Sequence, residues 1–345
     1  MQNQPLIEVK DVSVLFPVQG SRQPVRAVDG VSFTVQPRET FGIIGESGSG
    51  KSTLGRVIVC LQKPTAGTLL HAGKDPYQLG SAEMRKHRRD YQMVFQDPNA
   101  SLNPRMPVGA SIREPLDIEG VMTRAQRDER VMELMERVGL HTELAYRYPH
   151  ELSGGQKQRA NIARALSCRP KTIVCDEAVA ALDVSIQADV LNLLAELQEE
   201  FGLTYVFVSH DLGVVSHISD NIAVMYLGKF MELGPAETLM NSPLHPYTQA
   251  LLSAEPVPLP RSMRTTQRII LEGEIPSPLN PPSGCRFRTR CPLATERCAA
   301  ETPAWEQHGP NHWVACHYAG SSIVEGATAG TAVLEGAVAS QGAQS

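Results

Sequence analysis

The chain has 345 residues, 42% hydrophobic and 20% charged, with a net charge of −5. That length allows one large domain with an appendage, or two domains, and the composition excludes disorder as the main state. The mild charge provides no global field for nucleic acid or an anionic membrane surface. The longest apolar runs, such as Val57–Leu61 and Leu203–Val208, fall far short of the roughly 20 residues a spanning helix needs. The N-terminus has neither a basic nor an apolar leader region. A soluble cytoplasmic protein is therefore expected, reaching a membrane only through a partner.

Residues 6–16 (LIEVKDVSVLF) and 31–35 (VSFTV) are β-branched runs separated by Gly and Pro, as in a hairpin or meander. Thr40–Ile44 is a short apolar run meeting Gly45, and a helical stretch follows from Lys51 to about Leu61. From 124 to 170 the chain is charged and helix-compatible, with Val131, Leu134, Met135 and Val138 at helical spacing. Lys171–Asp176 is an apolar run ending on acids. Val190, Leu193, Leu194 and Leu197 line a helix closed by Gly202. Leu203–Ser209 reads as a buried strand ending at His210, and Asn221–Tyr226 with Phe230–Glu232 as a hairpin. After about residue 240 the texture turns Pro-rich, predicting an extended, turn-punctuated appendage; residues 319–345, mostly Ala, Gly, Ser and Thr, predict a disordered tail.

The strongest local motif is Gly45-Glu46-Ser47-Gly48-Ser49-Gly50-Lys51-Ser52-Thr53, set between a strand and a helix. Glycines let backbone N–H groups turn inward around phosphate oxygens, and the helix points its positive end at them. Lys51 places a compact charge on the β and γ phosphates, and the Ser52 hydroxyl can ligate Mg²⁺. This is a P-loop. Asp176 and Glu177 close a buried strand downstream; the first acid orders the Mg²⁺ shell, and the second can take a proton from an attacking water. A third motif, Leu152-Ser153-Gly154-Gly155-Gln156, precedes that strand and offers another helix start suited to an anion. One chain already has a phosphate cradle, so this one acts on a different nucleotide. Two subunits placed head-to-tail, each capping the other's ATP, satisfy both.

With these motifs the sequence resembles the ATP-binding subunits of ABC transporters over roughly residues 6–235. The resemblance implies an α/β P-loop NTPase fold of the ABC type: a mixed sheet core, an antiparallel β subdomain and a helical subdomain at about 97–165. It also implies that Gln96 touches Mg²⁺ and couples to a membrane subunit, that Asp183 lies in the loop facing the second subunit, and that His210 contacts the γ-phosphate. Phe16 is the candidate to stack on adenine. The chain departs from the family in reading Ala178-Val179-Ala180 after Glu177, and Ala180 lacks a hydroxyl usual there.

Residues 95–105 (FQDPNASLNPR), 181–187 (ALDVSIQ), 243–248 (PLHPYT) and the end from Pro281 resemble the oligopeptide/dipeptide importer branch, its F subunit more than its D subunit. This implies domains at 1–240 and 241–318, followed by the tail. It implies ATP hydrolysis driving di- or oligopeptide import at the cytoplasmic face of a bacterial membrane. The implied partners are two permeases, a second, D-type ATPase and, indirectly, an extracytoplasmic solute-binding protein, with no nucleic acid. Nickel-chelate, opine and glutathione importers share the extension, and a soluble ABC protein is the rival class; one cassette, no heptad run and no basic stripe argue against it. Cys285, Cys291, Cys298 and Cys316 read first as a metal site, suited to zinc or an iron–sulfur cluster. The paired close knuckles of zinc ribbons are missing, and the resemblance implies a [4Fe–4S] cluster.

Overall fold

The computed structural model describes residues 4–21, 23–180, 182–254 and 269–323; residues 324–345 of the expected tail lie outside the described residues. The strands are β1 (Ile7–Phe16), β2 (Val25–Val35), β3 (Thr40–Ile44), β4 (Ala66–His71), β5 (Tyr91–Val94), β6 (Thr172–Asp176), β7 (Thr204–Ser209), β8 (Asn221–Tyr226), β9 (Lys229–Pro235), β10 (Glu306–Gly309) and β11 (His312–Val314). The helices are α1 (Lys51–Ile58), α2 (Ser81–Asp90), α3 (Pro98–Ser101), α4 (Val108–Glu119), α5 (Arg124–Arg137), α6 (Gly154–Leu166), α7 (Val184–Phe201), α8 (Leu212–Ile218), α9 (Ala236–Asn241), α10 (Pro246–Ala254) and α11 (Glu296–Ala300).

β2, β1 and β4 form a three-stranded antiparallel sheet, and the main sheet runs β10-β11-β9-β8-β3-β7-β6-β5. Its centre is parallel, and β9, β11 and β10 extend it antiparallel. β3, β6 and β7 bury every residue, which is why they read as unbroken apolar runs rather than alternating ones. Strand alternation splits the interior in two. Ile43, Val206 and Val208 face a core shared with α1 and the antiparallel sheet; Ile44, Tyr205 and Phe207 face a core shared with α4–α7. The mixed sheet, antiparallel sheet and helical layer are those expected from sequence.

Several elements carried no signal in the sequence. α2 buries no residue, so it has no apolar stripe, and β4 opens with three exposed residues. α1 stops at Ile58 rather than Leu61, because Cys60 adopts a left-handed φ of 58° that turns the chain out of the helix.

The Pro-rich segment is not a loose appendage. Trp313 and Val314 of β11 pair with Leu233 and Glu232 of β9. Phe287 is fully buried, its ring 5.4 Å from Tyr226 and 5.2 Å from Tyr247. Beyond residue 318 the backbone still makes contacts: the Gly320 N–H donates to the Leu244 carbonyl at 2.9 Å and the Ile323 N–H to Gln249 Oε1 at 3.1 Å. Prolines bar long ladders, but the aromatic residues between them can still be buried.

Glu232 fastens this segment. Its side chain is fully buried and accepts from the Leu244 N–H (2.7 Å), the His245 N–H (3.0 Å) and His312 Nε2 (2.7 Å). Removing it leaves three buried donors without an acceptor. Glu232→Ala is therefore expected to lower the unfolding free energy by on the order of 3 kcal/mol in urea denaturation; an unchanged midpoint would contradict the assigned role.

Candidate active site

The loop after β3 is built by close backbone approach. An ideal Cβ on Gly45 (φ 152°) would lie 2.1 Å from the Met225 carbonyl oxygen, and one on Gly50 (φ 108°) would lie 2.0 Å from that of Ala27. Only glycine fits either position. No side chain caps α1 at Gly50, so its first N–H groups are open to an anion. Ser47 and Gly48 are exposed at the loop tip, Ser49 is buried, and Ser52 and Thr53 are half-buried in the first helical turn. The buried Lys51 ammonium donates to the carbonyls of Gly45 (2.7 Å) and Glu46 (2.9 Å). Burial pulls its pKa down, while Glu177, Asp176 and Glu46 push it back up.

The acids at the end of β6 converge on this loop. Ser52 Oγ donates to Asp176 Oδ1 at 2.8 Å; burial pushes the Asp176 carboxyl up, and this hydrogen bond opposes the rise. Glu177 has a φ of 48°, a strained conformation for a carboxylate residue, fixed by its N–H donating to the Val208 carbonyl at 2.8 Å. Gln96 Nε2 donates to one Glu177 oxygen at 2.6 Å, and His210 Nδ1 lies 3.4 Å from the other. The structure thus brings Lys51, Ser52, Gln96, Asp176, Glu177 and His210 into one site.

Phe16 is exposed, so packing in the first strand's core does not account for it. It pairs with Val25, two residues from the Ala27 carbonyl that touches the P-loop. Ser153, Gly154, Gly155 and Gln156 form a second, separate helix start. Ser153 N-caps α6, and the reciprocal bonds Ser153 N–H to Gln156 Oε1 (2.9 Å) and Gln156 N–H to Ser153 Oγ (3.3 Å) complete a capping box. Gly155 packs against Ile186, and Asp183 stands exposed at the start of α7 without capping it. Among the described residues, no hydrogen bond or ion pair joins Ser153–Gln156 to the P-loop. Ala178 is buried and Ala180 exposed.

Residues 28–180 match the ABC transporter family, and residues 231–298 match the family described as oligopeptide/dipeptide transporter, C-terminal region. The oligopeptide transport ATP-binding protein AppF of Bacillus subtilis (strain 168) is 54% identical over 318 residues, covering 90% of this chain and 97% of that protein. The chain belongs to the family of oligopeptide transport ATP-binding proteins. Another relative, the putative oligopeptide transport ATP-binding protein YkfD of the same organism, is 52% identical over 92% of this chain and 96% of its own length. Among solved structures, the dimeric post-hydrolysis state of the ATP-binding cassette MJ0796, bound to ADP and Pi, superposes with a TM-score of 0.61. It is 31% identical and covers 67% of this chain and 98% of its own.

In this family member the C-terminal segment reaches the P-loop, a contact that sequence reasoning missed. Arg290 Nη1 pairs with Glu46 Oε2 at 2.6 Å, and the Glu46 N–H donates to Tyr247 Oη at 2.9 Å. Arg286 bonds Asp29 and the Leu227 carbonyl. A separation of 244 residues between Glu46 and Arg290 leaves no pattern to read.

Arg286 follows Cys285 and Arg290 precedes Cys291 in the chain. Burial raises Cys285, Cys291 and Cys316, and the thiols sense one another's charge. Backbone N–H groups of Phe287, Leu293 and Tyr318, each two residues on, turn toward Cys285, Cys291 and Cys316, and Thr295 Oγ1 lies 3.7 Å from Cys298 Sγ.

Arg290 neutralises a carboxylate on the loop that is open to an anion. Arg290→Met is therefore expected to weaken ATP binding about tenfold, and Glu46→Gln in the same chain to restore most of it, read as a double-mutant cycle by calorimetry. Equal affinity of wild type and Arg290→Met would contradict this.

Proposed function

We propose that this chain is the ATP-hydrolysing subunit that powers peptide import through a membrane ABC transporter. The observation that carries the reading is a divided site: one end of the chain's sheet gathers the P-loop, Asp176, Glu177, Gln96 and His210, while the helix start at Ser153–Gln156, with Ser153 and Gly154 exposed, stands unattached to it. Two ATPase subunits facing head-to-tail complete each other. The named roles combine side-chain chemistry with what the resemblance to ABC ATPases implies. Lys51 and the open N–H groups of α1 hold the phosphates. Ser52, Gln96 and Asp176 supply oxygens to Mg²⁺, a hard cation. Glu177 takes the proton from water as it attacks the γ-phosphorus and the bond to ADP breaks. His210 donates to the γ-phosphate, Phe16 stacks on adenine, and Asp183 faces the opposite subunit beside Ser153.

The relatives' names support a peptide cargo; pairing of an F-type subunit with a D-type one is what the resemblance to the importer branch implies. Two permeases, fed by an extracytoplasmic binding protein, form the membrane part. The exposed apolar residues Phe95, Ile118, Val121 and Tyr146, which lie in sequence between the end of β5 and the second helix start, fit docking on such permeases at the cytoplasmic face. Among the described residues no helix is long and apolar enough to cross a membrane. Residues 1–240 act as the ATPase unit and 241–318 as a unit that braces it.

The four C-terminal cysteines suit a [4Fe–4S] cluster. The paired close knuckles of zinc ribbons are missing here, and backbone N–H groups turned toward Cys285, Cys291 and Cys316 favour thiolate ligands. Such a cluster would supply an all-cysteine cross-link, with one-electron chemistry available to it.

Glu177→Gln tests the hydrolysis reading: ATP binding is expected to persist while turnover falls by at least about a hundredfold, trapping a nucleotide-bound dimer in size-exclusion chromatography. Normal turnover would refute the assigned base. Anaerobically purified protein is expected to be brown and bleached by dithionite, with the colour lost in Cys291→Ser; a colourless protein that loses one zinc equivalent in Cys291→Ser would overturn the cluster.

A further inference from the structure

A second group of metal-ligand side chains lies far from the four C-terminal cysteines in sequence. Cys60 stands just past the end of α1, His71 ends β4, and His87 lies in the last turn of α2. One ligand atom from each falls within 4.8 Å of the other two, the only such trio among the described residues. Cys60 and His71 are buried and His87 is half-buried, which leaves a route in from solvent.

The two imidazoles already face each other through one nitrogen each, and a zinc about 2.0 Å from both would part those nitrogens to roughly 3.3 Å. His71 Nδ1 and His87 Nε2 are 2.6 Å apart, so a single proton fits between them. Tyr91 stacks on His71 at 3.7 Å between centroids and fixes its ring. The other nitrogen, His71 Nε2, is sealed beside the Ile58 backbone without a full hydrogen bond. That is the position from which a metal-bound histidine donates to an outer carbonyl once Nδ1 takes the ion. Burial, helped by His87, drives the His71 pKa down to about 3, and burial lowers that of His87 as well.

A stacked histidine pair needs no sulfur beside it, yet Cys60 Sγ completes the triangle. We propose that Cys60, His71 and His87 form a binding site for a single zinc ion, with solvent in the fourth position. On binding, a Zn–S bond forms as the Cys60 thiol proton leaves to solvent; burial holds that thiol up at about 11, so the metal must displace its proton. One thiolate and two imidazoles are a borderline-soft set that suits zinc over magnesium or calcium. The ion would tie the far end of the P-loop helix to the antiparallel sheet and to α2, whose chain continues through β5 to Gln96. This inference is independent of the proposed transport role.

The test uses the full chain, purified anaerobically and treated with chelator, then equilibrated with zinc alone and counted by elemental analysis. Wild type is expected to bind one more equivalent than Cys60→Ser and than His87→Gln. The same variants should lose one cobalt–thiolate absorption step when cobalt replaces zinc. His87→Gln, at a half-buried helical position, should keep native helix content by circular dichroism, which separates lost ligation from lost folding. Equal zinc stoichiometry and equal cobalt spectra in wild type and in both variants would overturn the site.

Discussion

A buried ammonium at the end of a parallel strand has to be held by opposite charge, and the rest of the site is arranged around that need. Lys51 is removed from water by the loop that wraps it, and Asp176, Glu177 and Glu46 supply the balancing field. Two of these carboxylates belong to the acid pair at the end of β6. The third lies within the loop itself, where an anion is also expected to bind. Its charge is offset from outside the cassette by Arg290. Electrostatics at the P-loop therefore reach into the C-terminal segment.

That segment is held on from several directions. Glu232 gathers three donors beneath it, Phe287 fills an aromatic pocket with Tyr226 and Tyr247, and Arg286 reaches Asp29 and the turn at Leu227. The same short stretch carries Cys285 and Cys291, so whatever those thiols hold is connected to Glu46 through a few covalent bonds and one ion pair. The cassette and its extension share a sheet and a core rather than meeting at a linker.

Much of the site was legible because its spacing is local. Strand, glycine-rich loop and helix occupy consecutive residues from Thr40 to Ile58, and Asp176-Glu177 ends a run buried on both faces. The backbone geometry requires the glycines that the motif displays. What the sequence concealed depends on distance along the chain. Arg290 meets Glu46 across 244 residues, and Cys60, His71 and His87 are contributed by three elements, one of which, α2, has no buried face to reveal it. The four C-terminal cysteines were readable as a set because they lie within 32 residues of one another in the sequence. The prolines between them suggested an extended chain, and the aromatics among those prolines are what the fold buries.

One polypeptide on its own leaves the proposed hydrolytic site unfinished. The most direct measurement is ATPase activity per chain across a dilution series, with molar mass followed by light scattering and the partner ATPase then titrated in. Specific activity is expected to vanish as the chain becomes monomeric and to rise to a plateau as the partner is added. Constant specific activity down to fully monomeric concentrations, unaffected by the partner, would contradict it.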